Sequence, residues 1–345
     1  MILLHLRSMF FRFFNIDTRF LAEMLGWFLT YLLTLQVETP QRGFHPPPKG
    51  AKTRQDNHSK AMAMQIIRSV SDLEAFVASA LGKGKTIGFV PTMGALHDGH
   101  LSLVKRAVAE NDVALVSVFV NPTQFNNPDD LATYPRNEEA DFRLLAGEGA
   151  TAVFAPTVEE MYPEGTATDH EFALGTAAEV MEGKFRPGQF QGVAQVVSRL
   201  FRLCRPTRAY FGEKDFQQIA VIKNMVESEH IDVEIVPVPI KRADDGLALS
   251  SRNALLSEEQ RKVAPGIHEA LKYSVEYAKD HSVRATHDTV VERIDAIPHM
   301  NVEYFEIVDG RTLLPVEEWS ESPDIVGCIT VYCGKVRLID NIRYK

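Results

Sequence analysis

The sequence predicts an α/β fold: a doubly wound parallel sheet followed by a smaller C-terminal α+β domain. Two observations carry this. Between residues 64 and 240, short apolar runs alternate with helix-length amphipathic stretches, the pattern of repeated βαβ units. Beyond Lys241 the alternation gives way to long helical patterns and then to two strand-like runs. The expected division is a sheet domain at 64–240, an α+β lid domain at 241–345, and an extension at 1–63.

From Ile66 the elements follow in order. Ser71, with Glu74 three residues on, reads as a capping pair that opens an amphipathic helix to Leu81, ended by Gly82 and Gly84. Thr86–Val90 is a short apolar run suited to a buried parallel strand. After a loop at Pro91–Gly99, His100–Asn111 reads as a helix with Leu101, Val104 and Val108 on one face. Val113–Val120 is a second buried strand. Helices at Asn137–Gly147, Gly192–Leu203 and Phe216–Glu229 then alternate with strands at Ala152–Phe154, Ala209–Phe211 and Val233–Val238. Further on, Glu258–Lys279 and the surroundings of Thr289 read as helices, and Val302–Val308 and Ile329–Leu338 as strands. In doubly wound sheets ligands bind beyond the carboxyl ends of the strands, and the polar motifs of this chain fall there.

Composition bounds the function. A chain of 345 residues with 45% apolar and 24% charged residues is globular and buries a sizeable core. Residues 1–63 hold eight Lys/Arg against four Asp/Glu, so of the total charge of −9 the rest carries −13. An acidic body argues against a nucleic-acid partner, which needs a basic face; a local loop with a few cations can still hold a nucleotide. The three cysteines, Cys204, Cys328 and Cys333, form no CxxC pair and read as reduced, buried thiols of a cytoplasmic enzyme.

The extension contains an apolar run, Leu21–Val37, interrupted by Glu23, and then a Pro- and Lys-rich stretch read as linker. A membrane anchor, a transit peptide and an upstream translation start compete. The favoured expectation is the upstream start, with the functional chain beginning near Met62 or Met64.

Four segments carry chemistry. In Pro91–His100, a strand runs into a Gly-containing turn with two histidines three residues apart at a helix start. Free N–H groups and the positive end of the helix dipole suit phosphate there, and the imidazoles can stabilise departing pyrophosphate. Gly99 leaves room for a base or sugar; a metal pair is the competing reading. In Gly212–Gln218, Lys214 offers phosphate a point charge and Gln218 a two-sided amide one turn into a helix. In Asp245–Asn253, two hydroxyls followed by a guanidinium form a clamp for phosphate oxygens. In Phe119–Phe125, Asn121 and Gln124 are neutral donors and acceptors that fit a small hydroxy acid.

PTMGALHDGH, FVNPTQF, YFGEKDFQQ and DGLALSSRN, in this order, with VRLIDNI later, resemble the pantothenate synthetase family of HxGH nucleotidylyltransferases from about Met64 onward. The resemblance implies a Rossmann-like sheet and ATP-dependent condensation of pantoate with β-alanine. The route implied is a pantoyl adenylate, with AMP and pyrophosphate released. It also implies a homodimer, ATP as a substrate with Mg2+, no tightly bound organic cofactor and no membrane partner. By position, Met93, Gly94, Ala95, Leu96, His97, Asp98, Gly99 and His100 would hold ATP, both histidines meeting phosphates and His100 donating a proton. Gly212, Glu213, Lys214 and Asp215 would contact the nucleotide, Lys214 reaching phosphate, and Lys241 would meet adenine through its backbone. Leu249, Ser250, Ser251 and Arg252 would be the KMSKS-like clamp. Gln124 and Gln218 would bind pantoate, Gln124 also meeting β-alanine. The implied catalytic set is His97, His100, Lys214, Ser250, Ser251 and Arg252.

Two positions depart from the family pattern: Gln189 replaces a common His in RPGHF, and Ala243 replaces a Glu in the READ-like segment. Acidic positions linked to magnesium in the family match only partly around Asp141, so protein ligands for the metal stay unassigned. A sibling nucleotidylyltransferase and a nucleotide-binding regulator without catalysis remain the alternatives.

Overall fold

Six short parallel strands lie in the order β1-β4-β3-β2-β5-β6. The computed structural model describes residues 64–125 and 128–345. The expectations for 1–63 fall outside the described residues. Strands β1 (Gln65–Ile67), β2 (Ile87–Thr92), β3 (Val113–Val118), β4 (Ala152–Phe154), β5 (Arg208–Gly212) and β6 (Glu234–Val238) build the sheet. Between them run α1 (Val70–Leu81), α2 (Asp98–Glu110), α3 (Pro128–Thr133), α4 (Glu138–Gly147), α5 (Val158–Met161), α6 (Glu182–Phe185), α7 (Gln189–Cys204) and α8 (Phe216–Ser228).

The central strands β2 and β3 are mostly apolar because helices cover both faces. Phe89, Leu115 and Phe154 point to one side and pack with Leu73 and Val77 of α1 and Val193 and Phe201 of α7. Their neighbours Val90, Val116 and Val153 point to the other and pack with Val104 and Ala107 of α2 and Leu145 of α4. That alternation is the period of two expected of a strand.

Chain direction across the sheet reverses at β2. From β2 the chain moves through β3 to β4, then returns to place β5 and β6 on the other side. Strands β2 and β3 pair along all of β2, Ile87 to Thr92, whereas β2 and β5 pair only at Gly88 and Phe89. Their carboxyl ends therefore splay apart and open a crevice at the switch point.

The C-terminal part comprises α9 (Glu258–Val263), α10 (Gly266–Tyr277), α11 (Val283–Asp295) and an antiparallel sheet of β7 (Met300–Asp309), β8 (Ile325–Cys333) and β9 (Val336–Arg343). Its core, including Leu271, Ile294 and Ile329, lies between helices and sheet. Val308, Leu313, Val326 and Cys328 instead join the apolar cluster under the parallel sheet.

Several expectations shift. The α1 cap is Ser69, whose hydroxyl accepts from the Asp72 N–H at 3.1 Å, two residues before the anticipated Ser71. Val108 is 36% exposed, and Leu103 and Ala107 take its place in the core. The helical stretch at Glu258–Lys279 breaks at Ala264–Pro265, since proline cannot continue the ladder. The run Ile329–Leu338 is a hairpin that turns at Gly334, φ 60°. Strand β1 and helices α3, α5 and α6 are not announced by the sequence pattern. All three cysteines are free and buried. Among the described residues no helix is long and apolar enough to cross a membrane.

Candidate active site

The crevice contains a cavity of about 220 Å³ that brings together His97, His100, Gln124, Lys214, Gln218 and Arg252. Asn121, Gly212, Asp215, Lys241, Leu249, Ser250 and Ser251 also line it, with Met93 and Gly99. Residues distant in sequence thus meet at the ends of β2, β3 and β5. Gly94, Ala95, Leu96, Asp98 and Glu213 do not line the cavity; their contribution is to the shape of the loops.

The histidines are set by helix capping. His97 is the N-cap of α2, and its Nδ1 accepts from the Gly99 N–H at 3.1 Å. His100 Nδ1 accepts from the His97 N–H at 3.4 Å, so each imidazole closes the other half of a capping box. A ring nitrogen that accepts from an amide carries no proton, so the neutral tautomer of both histidines bears hydrogen on Nε2. Burial, reinforced by Lys214, pushes His97 down to about 4. Burial, followed by His97 and Lys214, pushes His100 down to about 3. At neutral pH the site therefore holds two uncharged N–H donors beside the Lys214 ammonium group.

This differs from the sequence reading in one respect. The loop amides are not free for phosphate: Gly94 N–H donates to Thr92 Oγ1, and Ala95 and Leu96 N–H donate to Asp141. Gly99 lines the cavity and lies against the His97 ring, which a Cβ there would approach to 2.7 Å. Side chains, rather than the Gly94–Leu96 backbone, face the cavity.

Opposite, β5 ends in a 3₁₀ turn, Glu213–Asp215, where Lys214 lies 3.6 Å from Asp215. The turn is held from the second sheet: Asn341 Nδ2 donates to the carbonyls of Glu213 and Lys214. Its neighbour Asp340 pairs with Arg242 through two contacts of 2.6 and 2.9 Å. Arg242 and Ala248 bridge a short hairpin, and the Lys241 carbonyl accepts from the Leu249 N–H at 3.0 Å, which aims Ser250–Arg252 at the crevice. Ser250 caps its own 3₁₀ turn by accepting from the Arg252 N–H at 3.3 Å. Ser251 Oγ donates to the Ala95 carbonyl at 3.1 Å, joining the clamp to the histidine loop.

At the end of β3, Asn121 is 1% exposed and wholly engaged. Its Nδ2 donates to Thr123 Oγ1, Gln124 Oε1 and the Gly192 carbonyl, and its Oδ1 accepts from the Tyr162 hydroxyl at 2.9 Å. Burial raises that hydroxyl to about 12, so it stays a donor. Asn121 therefore fixes which way the Gln124 amide faces, leaving Gln124 Nε2, 3.1 Å from Met93 Sδ, toward the cavity. Gln218 also faces the cavity, whereas the adjacent Gln217 is buried and clamps the carbonyls of Ala177 and Val180.

Among the described residues no group of three or more His, Cys, Asp or Glu side chains is placed to hold a metal ion. Sequence reasoning missed Tyr162 and the site-shaping roles of Asp141, Arg242, Asp340 and Asn341, none of which lines the cavity.

The model of the family described as pantoate-beta-alanine ligase matches residues 65–343. The chain belongs to the pantoate–β-alanine ligase family. A pantothenate synthetase from Porphyromonas gingivalis strain W83 is 56% identical over 282 residues, which is 82% of this chain and 100% of the relative. Among solved structures, a pantothenate synthetase from Thermus thermophilus superposes with a TM-score of 0.76 at 45% identity, covering 81% of this chain and 99% of that one. The pantoate-β-alanine ligase from Francisella tularensis, complexed with β-γ ATP and β-alanine, matches with a TM-score of 0.69 at 36% identity over 82% and 98% of the two chains. As a pantoate–β-alanine ligase, the chain joins pantoate to β-alanine using ATP. The paired sheets described above are the pantothenate synthetase fold.

Proposed function

We propose that the crevice makes pantoyl adenylate and then hands its acyl group to β-alanine. The observation that carries this is the pair of neutral imidazoles, held with Nε2–H outward beside Lys214 at the splayed ends of β2 and β5. A pantoate carboxylate oxygen attacks the α-phosphorus of ATP, and the bond to pyrophosphate breaks. His97, His100, Lys214 and Arg252 take up the charge that collects on the departing oxygens, with neutral His100 donating a hydrogen bond from Nε2 rather than a proton; Ser250 and Ser251 complete the clamp. Positioning and electrostatics dominate such a step. The β-alanine amine next attacks the acyl carbon, AMP leaves, and the amine proton passes to solvent.

Gln124 and Gln218 hold pantoate, with Gln124 also near the incoming amine and Asn121 aligning the amide. Gly212 and Asp215 border the nucleotide, and the Lys241 backbone lies beside adenine. Magnesium belongs with ATP as substrate, held on phosphate oxygens. No tightly bound organic cofactor is needed for this chemistry. Residues 241–345 act as a lid domain over 64–240, and the active species is a homodimer in the cytoplasm; three buried free thiols suit a reducing compartment. Light scattering tests the dimer.

The deciding experiment is pantoate-dependent exchange of pyrophosphate into ATP. His100→Ala should lower it on the order of a hundredfold or more; near-normal exchange would overturn the assignment.

A further inference from the structure

Asp141 lies in the first turn of α4 and is 2% exposed. A carboxylate taken out of water needs compensation, yet among the described residues no cation pairs with it. It is instead satisfied by backbone. One oxygen accepts from the Ala95 N–H at 2.9 Å, the other from the Leu96 N–H at 2.8 Å. The turn it holds is in an uncommon conformation: Gly94 has φ 81°, and Ala95, which carries a side chain, has φ 50°. A Cβ on Gly94 would come within 2.9 Å of the same carboxylate, so the fit is close. The two peptides so gripped immediately precede His97. On its other side, the Ala95 carbonyl receives the Ser251 hydroxyl.

We propose that Asp141 is a positioning residue for adenylation: its carboxylate locks the Gly94–Leu96 turn, which places His97 at the head of α2 and presents the Ala95 carbonyl as the landing point for Ser251. Without that acceptor, the Ala95 and Leu96 N–H groups must find water, and Ala95 can relax out of its left-handed conformation. The carbonyl then rotates off Ser251, and the histidine loop and the Ser250–Arg252 clamp lose their shared reference point. The inference rests on the reading that these two segments meet the triphosphate. Aminolysis of an adenylate already formed has no pyrophosphate to stabilise and depends less on the alignment.

Asp141→Asn separates this role from packing. Asparagine has the same shape, but it turns an amide N–H₂ toward one of two N–H donors. The expected result is pantoate-dependent ATP–pyrophosphate exchange reduced by about tenfold or more, with aminolysis of supplied pantoyl adenylate by β-alanine kept within about twofold of the unaltered chain. Raised magnesium should not restore the exchange; restoration would assign Asp141 to the metal and overturn the proposal. Exchange within about twofold of normal would also overturn it, as would equal loss in both half-reactions. If Asp141→Asn does not fold, Gly94→Ala, whose Cβ would crowd the same carboxylate at 2.9 Å, must show the same split, or the proposal fails. His100→Ala is run alongside. Normal exchange in His100→Ala removes the phosphate-site reading itself, whereas loss there with normal exchange in Asp141→Asn removes only the role of Asp141.

Discussion

Asn341, in the last strand of the second sheet, grips the main chain of Lys214, in the turn that follows β5 of the first: its amide nitrogen lies 2.8 Å from the Glu213 carbonyl oxygen and 3.1 Å from that of Lys214. The ammonium group beside the histidines is therefore placed by a residue that never touches the cavity centre. Replacing Asn341 by Asp keeps the shape and exchanges a donor for a carboxylate facing two carbonyl oxygens. Asn341→Asp should raise the KM for ATP about tenfold with a smaller change in the KM for β-alanine. Steady-state kinetics with each substrate varied in turn checks this.

A glycine in α7 sets the distance between that helix and the loop that carries Gln124. A Cβ on Gly192 would stand 2.2 Å from the Thr123 carbonyl oxygen and 2.8 Å from the Gln124 nitrogen, both backbone atoms that cannot swing aside. Gly192→Ala should cost about 1–3 kcal/mol of stability and should weaken pantoate more than ATP. Urea unfolding and the two KM values read these effects.

Arg337 of β9 faces Glu182 of α6 as a fork, with both contacts at 2.7 Å, and also meets Glu303 of β7. The side chains of Arg337 and Glu182 are only 17% and 12% exposed. Removing the cation strands two carboxylates in a dry place, at a cost of about 3–5 kcal/mol. Arg337→Ala should lower the urea midpoint accordingly, and adding Glu182→Gln should recover part of the loss.

The depressed histidines give stability a pH dependence of definite sign. In the unfolded chain they bind protons below the usual value near 6.5, while in the folded chain they do so only below about 4 and about 3. Between these values the unfolded state holds more protons, so stability falls as pH drops from 6.5 toward 4. Each histidine should shift the folding equilibrium by up to about tenfold per pH unit. A double replacement, His97→Asn with His100→Gln, should flatten melting temperature against pH across that window.

The sheet is largely legible in the sequence because strands covered on both faces are mostly apolar, as Val113–Val118 is apart from Ser117. The hairpin of β8 and β9 is not, since Gly334 and Lys335 make so short a turn that two strands read as one run. Pro265, by contrast, is a readable helix breaker. At the site, the lining side chains are legible where a motif stands at a strand end. Asp141 and Asn341 are hidden for a physical reason. Each bonds main chain that carries no residue identity, 45–46 and 127–128 positions away, so no spacing announces the pairing.

The reciprocal cap at the start of α2 has a thermodynamic meaning beyond geometry. Water around a departing anion has to reorient its dipoles during the reaction. Here two N–H dipoles were turned when the helix formed, and no ring must flip or ionise as the nucleotide arrives. The reorganisation that a solvent performs in every turnover is performed once by this chain, at folding. Its cost appears as the acid sensitivity of the folded protein.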